Sequence, residues 1–266
     1  MSAEMTNEKI TKAILVVSFG TSYEETRKVT IDAIESSIAQ TFPGYKIYRA
    51  WTSKMILKKI RQRDQIHINN VTEAMEEMHR DKITDVVIQP THVINGIEND
   101  LMKEDALAFQ DCFHSLTFGT PLLTTADDNQ KVIQAIAREF QHLPEDEALV
   151  LMGHGTAHHA NSIYAALDYT MKDMGHPNFF MGTVEAYPSM ETLVKMIHAF
   201  KPKKIHLAPF MIVAGDHACN DMAGDDPDSW YSQFKQAGFS VETCLKGLGE
   251  YPGIREIFIQ HIRDVL

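Results

Sequence analysis

Short apolar runs alternate along this chain with longer segments whose apolar residues recur every three to four positions. The apolar runs predict strands at 13–19, 45–51, 84–90 and 115–119, then at 147–153, 179–185, 203–210 and 240–245. The longer segments predict helices at 22–40, 52–61, 71–80 and 99–112, then at 127–141, 159–174, 189–200, 228–237 and 252–264. Several strand candidates, such as 83–88 and 205–209, are apolar almost without interruption, which suits strands covered by helices on both faces. Pro43-Gly44, Gly175-His176-Pro177 and Gly238 mark helix ends. Strands alternating with helices in this way form α/β folds with parallel sheets.

The pattern is written twice. Ile14-Leu15-Val16-Val17 runs into Ser18-Phe19-Gly20-Thr21, and Leu149-Val150-Leu151-Met152 runs into Gly153-His154-Gly155-Thr156. Arg49-Ala50-Trp51-Thr52-Ser53 falls on Glu185-Ala186-Tyr187-Pro188-Ser189, and the segment 89–96 falls on 208–215. In this alignment the positions of Phe19, Arg49 and Glu98 are taken in the second copy by His154, Glu185 and His217. The expected architecture is two similar lobes, residues 1–125 and 126–266, each a four-stranded parallel sheet flanked by helices. The stretch 121–128 joins them, and terminal helices are free to pack on the opposite lobe. Ligands of such sheets bind beyond the C-terminal strand ends, so an active-site cleft is expected between the lobes.

Composition narrows the partners. With 25 Lys and Arg against 36 Asp and Glu, the net charge is −11, which excludes nucleic acid and is compatible with attracting cations. No apolar stretch reaches the roughly 20 residues of a membrane span. The polar segment 1–9 lacks the apolar core of a signal peptide, so a cytoplasmic location is expected. Cys112, Cys219 and Cys244 are odd in number and widely spaced, which suits neither a disulfide framework nor a thiolate metal site. No phosphate-binding loop is present, Gly247-Leu248-Gly249 lacks the third glycine of a dinucleotide fingerprint, and 153–157 lacks a nucleophilic serine.

Candidate chemistry gathers at the three substituted positions. The glycines flanking His154 permit a tight turn that leaves its imidazole accessible. Glu185 closes a strand, and His217 lies in a polar loop where Asp216 or Asp221 either orients its ring or caps the next helix. Two imidazoles and a carboxylate suit Co²⁺, Fe²⁺, Ni²⁺ or Zn²⁺ and leave coordination positions open, as a transfer site or a metallohydrolase needs. A non-catalytic metal-binding protein fits the same ligands. Among the other histidines, His158-His159 reads as a helix start and His206 as packed in a strand. His67, His79, His114, His142, His176, His198 and His261 read as surface residues, and Asp225-Asp226-Pro227-Asp228 reads as a capping turn.

At these residues the chain resembles the anaerobic sirohydrochlorin cobaltochelatase family of ATP-independent chelatases related to ferrochelatase. The likeness lies in Val16-Val17-Ser18-Phe19-Gly20-Thr21-Ser22-Tyr23, Arg61-Gln62-Arg63-Asp64, His92-Val93-Ile94-Asn95-Gly96, Met152-Gly153-His154-Gly155, Val184-Glu185-Ala186-Tyr187-Pro188 and Gly215-Asp216-His217-Ala218-Cys219-Asn220-Asp221-Met222. The resemblance implies insertion of Co²⁺ into sirohydrochlorin with release of two protons, on the route to cobalamin. It implies that His154, Glu185 and His217 bind the metal and that His154 accepts a proton. It implies no permanently bound cofactor: Co²⁺ is a substrate, and Fe²⁺ or Ni²⁺ suit the same ligands, which keeps a sirohaem-forming ferrochelatase as the alternative. The partners are then the tetrapyrrole and a divalent ion, with no nucleic acid or membrane; a homo-oligomer is compatible. Ser18, Phe19, Gly20, Thr21, Tyr23, His92, Val93 and Ile94 are expected to form the facing wall, with Phe19 and Tyr23 against the macrocycle. Arg49 is assigned either to substrate carboxylates or to a structural ion pair.

Overall fold

The computed structural model describes residues 10–266, so the reading of segment 1–9 lies outside the described residues. Eight strands form two sheets of four. The first holds β1 (Lys12–Ser18), β2 (Lys46–Trp51), β3 (Asp85–Pro90) and β4 (Ser115–Phe118) in the order β2-β1-β3-β4. The second holds β5 (Ala148–Gly153), β6 (Phe179–Thr183), β7 (Ile205–Pro209) and β8 (Val241–Thr243) in the order β6-β5-β7-β8. Every pairing is parallel, and the two orders are the same, as a duplicated unit requires.

Ten α-helices connect and cover the strands. They are α1 (Glu24–Val29), α2 (Ile31–Thr41), α3 (Lys54–Asp64), α4 (Val71–Arg80), α5 (Ile97–Leu107), α6 (Ala126–Glu139), α7 (Ser162–Asp173), α8 (Met190–Phe200), α9 (Trp230–Gln236) and α10 (Pro252–Arg263). Side chains alternate across a strand, so each central strand feeds two cores. Ala13, Leu15 and Val17 of β1 join Ala74, Met75 and Met78 of α4 on the outer face. Ala148, Val150 and Met152 of β5 join Leu193 and Ile197 of α8 with Trp230 and Phe234 of α9. The opposite faces, Ile14 and Val16 of β1 with Leu149 and Leu151 of β5, enter one shared cluster with Ile34, Ile133, Ile136, Leu167, Ile254 and Phe258. The two halves are thus joined by a common apolar layer of helices. Within it α10, from the second half, packs on α6 and α2 and reaches β3.

Three expectations change. The helix expected at 22–40 breaks at Thr30, which lies buried with φ −117° and ψ −81° between α1 and α2. The loop after β7 contains a π-helical turn, Ala218–Met222, that no apolar period announces. His261 is buried rather than exposed, because on α10 it shares the inward face with Ile254, Ile257, Phe258 and Ile262. Its Nδ1 meets the Thr120 carbonyl at 2.9 Å and its Nε2 meets Asp128 Oδ1 at 2.9 Å. His206 pairs with Glu147 at 2.5 Å from a half-buried position. The repeat is unequal at this point: β2 is followed by two helices, α3 and α4, whereas β6 leads to α8 alone. No helix among the described residues is long and apolar enough to cross a membrane.

Candidate metal centre in the cleft

His154 leaves the end of β5 between two glycines that are both sterically required. Gly155 has φ +84°, and a Cβ there would stand 2.9 Å from Thr183 Cβ and 3.0 Å from the Ala186 nitrogen. A Cβ on Gly153 would stand 2.7 Å from the Tyr164 ring. In the first copy Gly20 repeats the turn with φ +100°, its missing Cβ lying 2.6 Å from the Trp51 ring. The left-handed conformation swings the chain off the strand end. At the matched position one copy presents Phe19 and the other an imidazole.

The ring of His154 is fixed by its own turn. Its Nδ1 lies 2.8 Å from the Gly155 carbonyl, which only accepts, so Nδ1 carries the hydrogen and Nε2 is left as the bare nitrogen. His217 is held comparably: its Nδ1 lies 2.5 Å from Asp221 Oδ2, so its Nε2 is the free one. The wide π-helical turn at Ala218–Met222 carries the Asp221 carboxylate to this ring. Glu185 sits just beyond β6 in a segment tied to the His154 loop, its N–H donating to the His154 carbonyl at 3.0 Å.

One ligand atom from each of His154, Glu185 and His217 falls within 4.8 Å of the others. The two imidazole rings are 4.6 Å apart at 90°, and Glu185 Oε2 is 3.8 Å from His154 Nδ1. Atoms bound tetrahedrally to one ion at about 2.1 Å stand about 3.4 Å apart, so the three ligands close on an ion by drawing together by about 1.4 Å at most. The side chains are 45%, 56% and 37% exposed for His154, Glu185 and His217, which leaves one side of the site open to the cleft. Neutral imidazole and carboxylate oxygen form a donor set for a borderline divalent ion.

The residues expected on the facing wall divide. Phe19 and Tyr23 are exposed, and the Tyr23 hydroxyl donates to Asp216 Oδ1 at 3.1 Å, next to His217. That hydrogen bond, then burial, holds the phenol above its ordinary pKa, so Tyr23 stays a donor. Ser18, Gly20, Thr21 and His92, expected on the same wall, are buried. The loop folds down onto Trp51 and Thr91, where Thr91 Oγ1 donates to Ser18 Oγ at 2.9 Å. Burial pushes His92 down to about 4, so its ring is neutral near pH 7, and neither nitrogen meets a protein partner among the described residues. Val93 and Ile94 pack against the shared core. Arg49 is bound structurally: its Nε donates to Glu35 at 2.8 Å and its Nη2 bonds Asp32 and Glu35. Both carboxylates lie on α2.

One neighbour escaped sequence reading: Asp100 on α5 reaches His158 Nε2 at 3.4 Å, a contact between distant parts of the chain that no local pattern marks. Tyr187, two residues past Glu185, is 60% exposed. The capping turn at 225–228 is present, with Ser229 as the N-cap of α9.

Two parallel α/β lobes about a cleft, with an open His/Glu/His cluster on one side only, define a protein of the two-lobed chelatase class. Among solved structures, SirB from Bacillus subtilis with Fe³⁺ has this fold, with a TM-score of 0.67 at 10% identity over 96% of this chain and 95% of its own. CbiX, described as the terminal enzyme for siroheme biosynthesis in denitrifying bacteria, has a TM-score of 0.59 at 15% identity, covering 96% of this chain and 100% of its own. The family model for cobalt chelatase (CbiK) matches residues 12–266, and the chain belongs to that family. It is 41% identical to the sirohydrochlorin cobaltochelatase of Salmonella typhimurium over 96% of both chains. It is 31% identical to sirohydrochlorin cobaltochelatase CbiKC of Nitratidesulfovibrio vulgaris, over 94% of this chain and 89% of the relative.

Proposed function

We propose that this protein is a sirohydrochlorin cobaltochelatase that inserts Co²⁺ into the tetrapyrrole without ATP, in the cytoplasm. The observation that carries the reading is the cluster of His154, Glu185 and His217, open to a cleft whose other side presents Phe19. Family membership supplies the metal and macrocycle class.

Metallation exchanges one divalent cation for the two protons on the pyrrole nitrogens. His154 Nε2, His217 Nε2 and a Glu185 oxygen hold the incoming Co²⁺, and an open coordination side faces the ring. As the ion passes to the pyrrole nitrogens, the lone pair released on His154 Nε2 takes one proton. An imidazole is suited to this because its ordinary pKa lies near neutrality. Glu185, more than half exposed, gives the second proton a route to water. Phe19 and Tyr23 lie against the macrocycle and hold its face towards the metal. Fe²⁺ and Ni²⁺ suit the same donors, so the ion used in the cell follows from supply as well as from ligand preference.

An anaerobic absorbance time course with sirohydrochlorin and Co²⁺ tests the reading. Wild-type protein is expected to accelerate metallation, with a loss of about 100-fold or more in His154→Ala and His217→Ala. A wild-type rate equal to that in buffer would overturn it.

A further inference from the structure

With Arg49 tied to Asp32 and Glu35, the cleft needs another source of positive charge for a polycarboxylate substrate. The structure assigns this to α3: we propose that the groove formed by α3 and the segment 65–70 binds peripheral carboxylates of the tetrapyrrole. This inference rests on the chelatase reading and extends it to substrate recognition.

Four observations converge on α3. It starts from its cap Ser53, directly beyond the end of β2, in the stretch where the first half carries two helices and the second half one. It borders the cleft: the Ser53 N–H before it donates to the Phe19 carbonyl at 3.2 Å. Leu57 packs with Val213, from the loop that leads to His217, on the cluster of Ile31, Trp51 and Ile60. Finally, its charge is uncommitted. Lys54, Lys58, Lys59 and Arg61 have no carboxylate partner among the described residues, whereas Arg63 on the same helix is held by Asp64 and the Ser22 carbonyl.

Positions 54, 58 and 61 fall on one helical stripe. Together with Leu57, Ile66, His67, Ile68 and Asn70 they line an open groove of about 270 Å³. Its one carboxylate, Glu73, accepts from the Asn70 N–H at 2.9 Å in the cap of α4. In a chain of net charge −11, three cations without carboxylate partners among the described residues, set beside Leu57, Ile66 and Ile68, suit a ligand with an apolar body and several carboxylates. Lys54, nearest the Phe19 loop, meets the ring edge first, and Lys58 and Arg61 continue the rim outward.

Fluorescence titration separates recognition from catalysis, with uroporphyrin as an octacarboxylate probe and protoporphyrin as a dicarboxylate probe. The double variant Lys58→Gln/Arg61→Gln is expected to bind uroporphyrin about tenfold more weakly than wild type, with protoporphyrin changed by less than about twofold. Added salt should narrow the uroporphyrin difference. Arg80→Gln, at the exposed end of α4, should bind both probes as wild type does. Equal uroporphyrin affinity in the double variant and wild type, or no binding by wild type, overturns the groove assignment. Binding that depends on Lys58 and Arg61 in a wild type unable to metallate sirohydrochlorin sustains the groove and removes the chelatase reading.

Discussion

His217 shows how much of a metal site is held by residues that never touch the metal. The carboxylate of Asp221, 2.5 Å from Nδ1, sets the direction in which Nε2 points. Removal of such a partner commonly lowers metal affinity by about 10–100-fold. Asp221→Ala is therefore expected to weaken Co²⁺ binding at least about tenfold in a direct titration. Asp221→Asn keeps an acceptor oxygen and should retain part of it. Equal affinity in all three proteins would show that the π-helical turn alone orients the ring. The sequence reading left Asp216 and Asp221 as equal candidates for this role. Only the folded loop separates them: Asp216 accepts from Tyr23 and Asn220, and Asp221 from His217.

At the scale of elements, the turn from strand to metal loop is the controlling unit. Gly155 combines positive φ with close packing on Thr183 and Ala186, so a side chain there meets both backbone strain and a clash. Gly155→Ala is expected to cost about 2 kcal/mol or more in denaturant unfolding, and to weaken Co²⁺ binding by displacing His154 from Glu185. Unchanged stability would mean that the turn relaxes. The inner strands are legible because each carries an apolar run bounded by turn residues, whereas the edge strands β4 (Ser115-Leu116-Thr117-Phe118) and β8 (Val241-Glu242-Thr243) are short and mixed. The splitting of the 22–40 helix is not legible, because Thr30 sits in a segment whose period is continuous. Gly249, whose missing Cβ would lie 2.9 Å from Thr30 Cβ, shows how closely another segment packs at that break.

On the scale of the molecule, α10 ties the second half to the first. At its end His261 spans the Thr120 carbonyl and the buried Asp128 carboxylate, at the start of the connection between the halves. Burial raises the Asp128 pKa, but hydrogen bonds from His261 and Thr125 outweigh it and hold this carboxyl below its ordinary value. A carboxyl depressed in the folded state contributes stability above its unfolded pKa and loses it as the pH falls through the folded one. Replacing His261 by Leu leaves the Asp128 carboxylate only the Thr125 N–H, so a loss of about 1–3 kcal/mol is expected at pH 7. The deficit should shrink as the pH falls below the ordinary carboxylate range, about 4, towards the lower folded-state value. Denaturant unfolding at both pH values reads this out, and a deficit independent of pH would assign the effect to packing alone.

Most strands, their helical covers, the duplication and the three positions that cluster as candidate metal ligands are legible in the sequence. These are written in local periodicity and in the comparison of one half with the other. The tertiary structure decided which side chains reach the cleft. Ser18 and His92 are buried, Arg49 binds α2, His261 lies on the inward face of α10, and α3 stands beside the Phe19 loop with Lys54, Lys58 and Arg61 free of carboxylate partners among the described residues. Burial and pairing of a polar group depend on neighbours distant in the chain, so no local pattern encodes them.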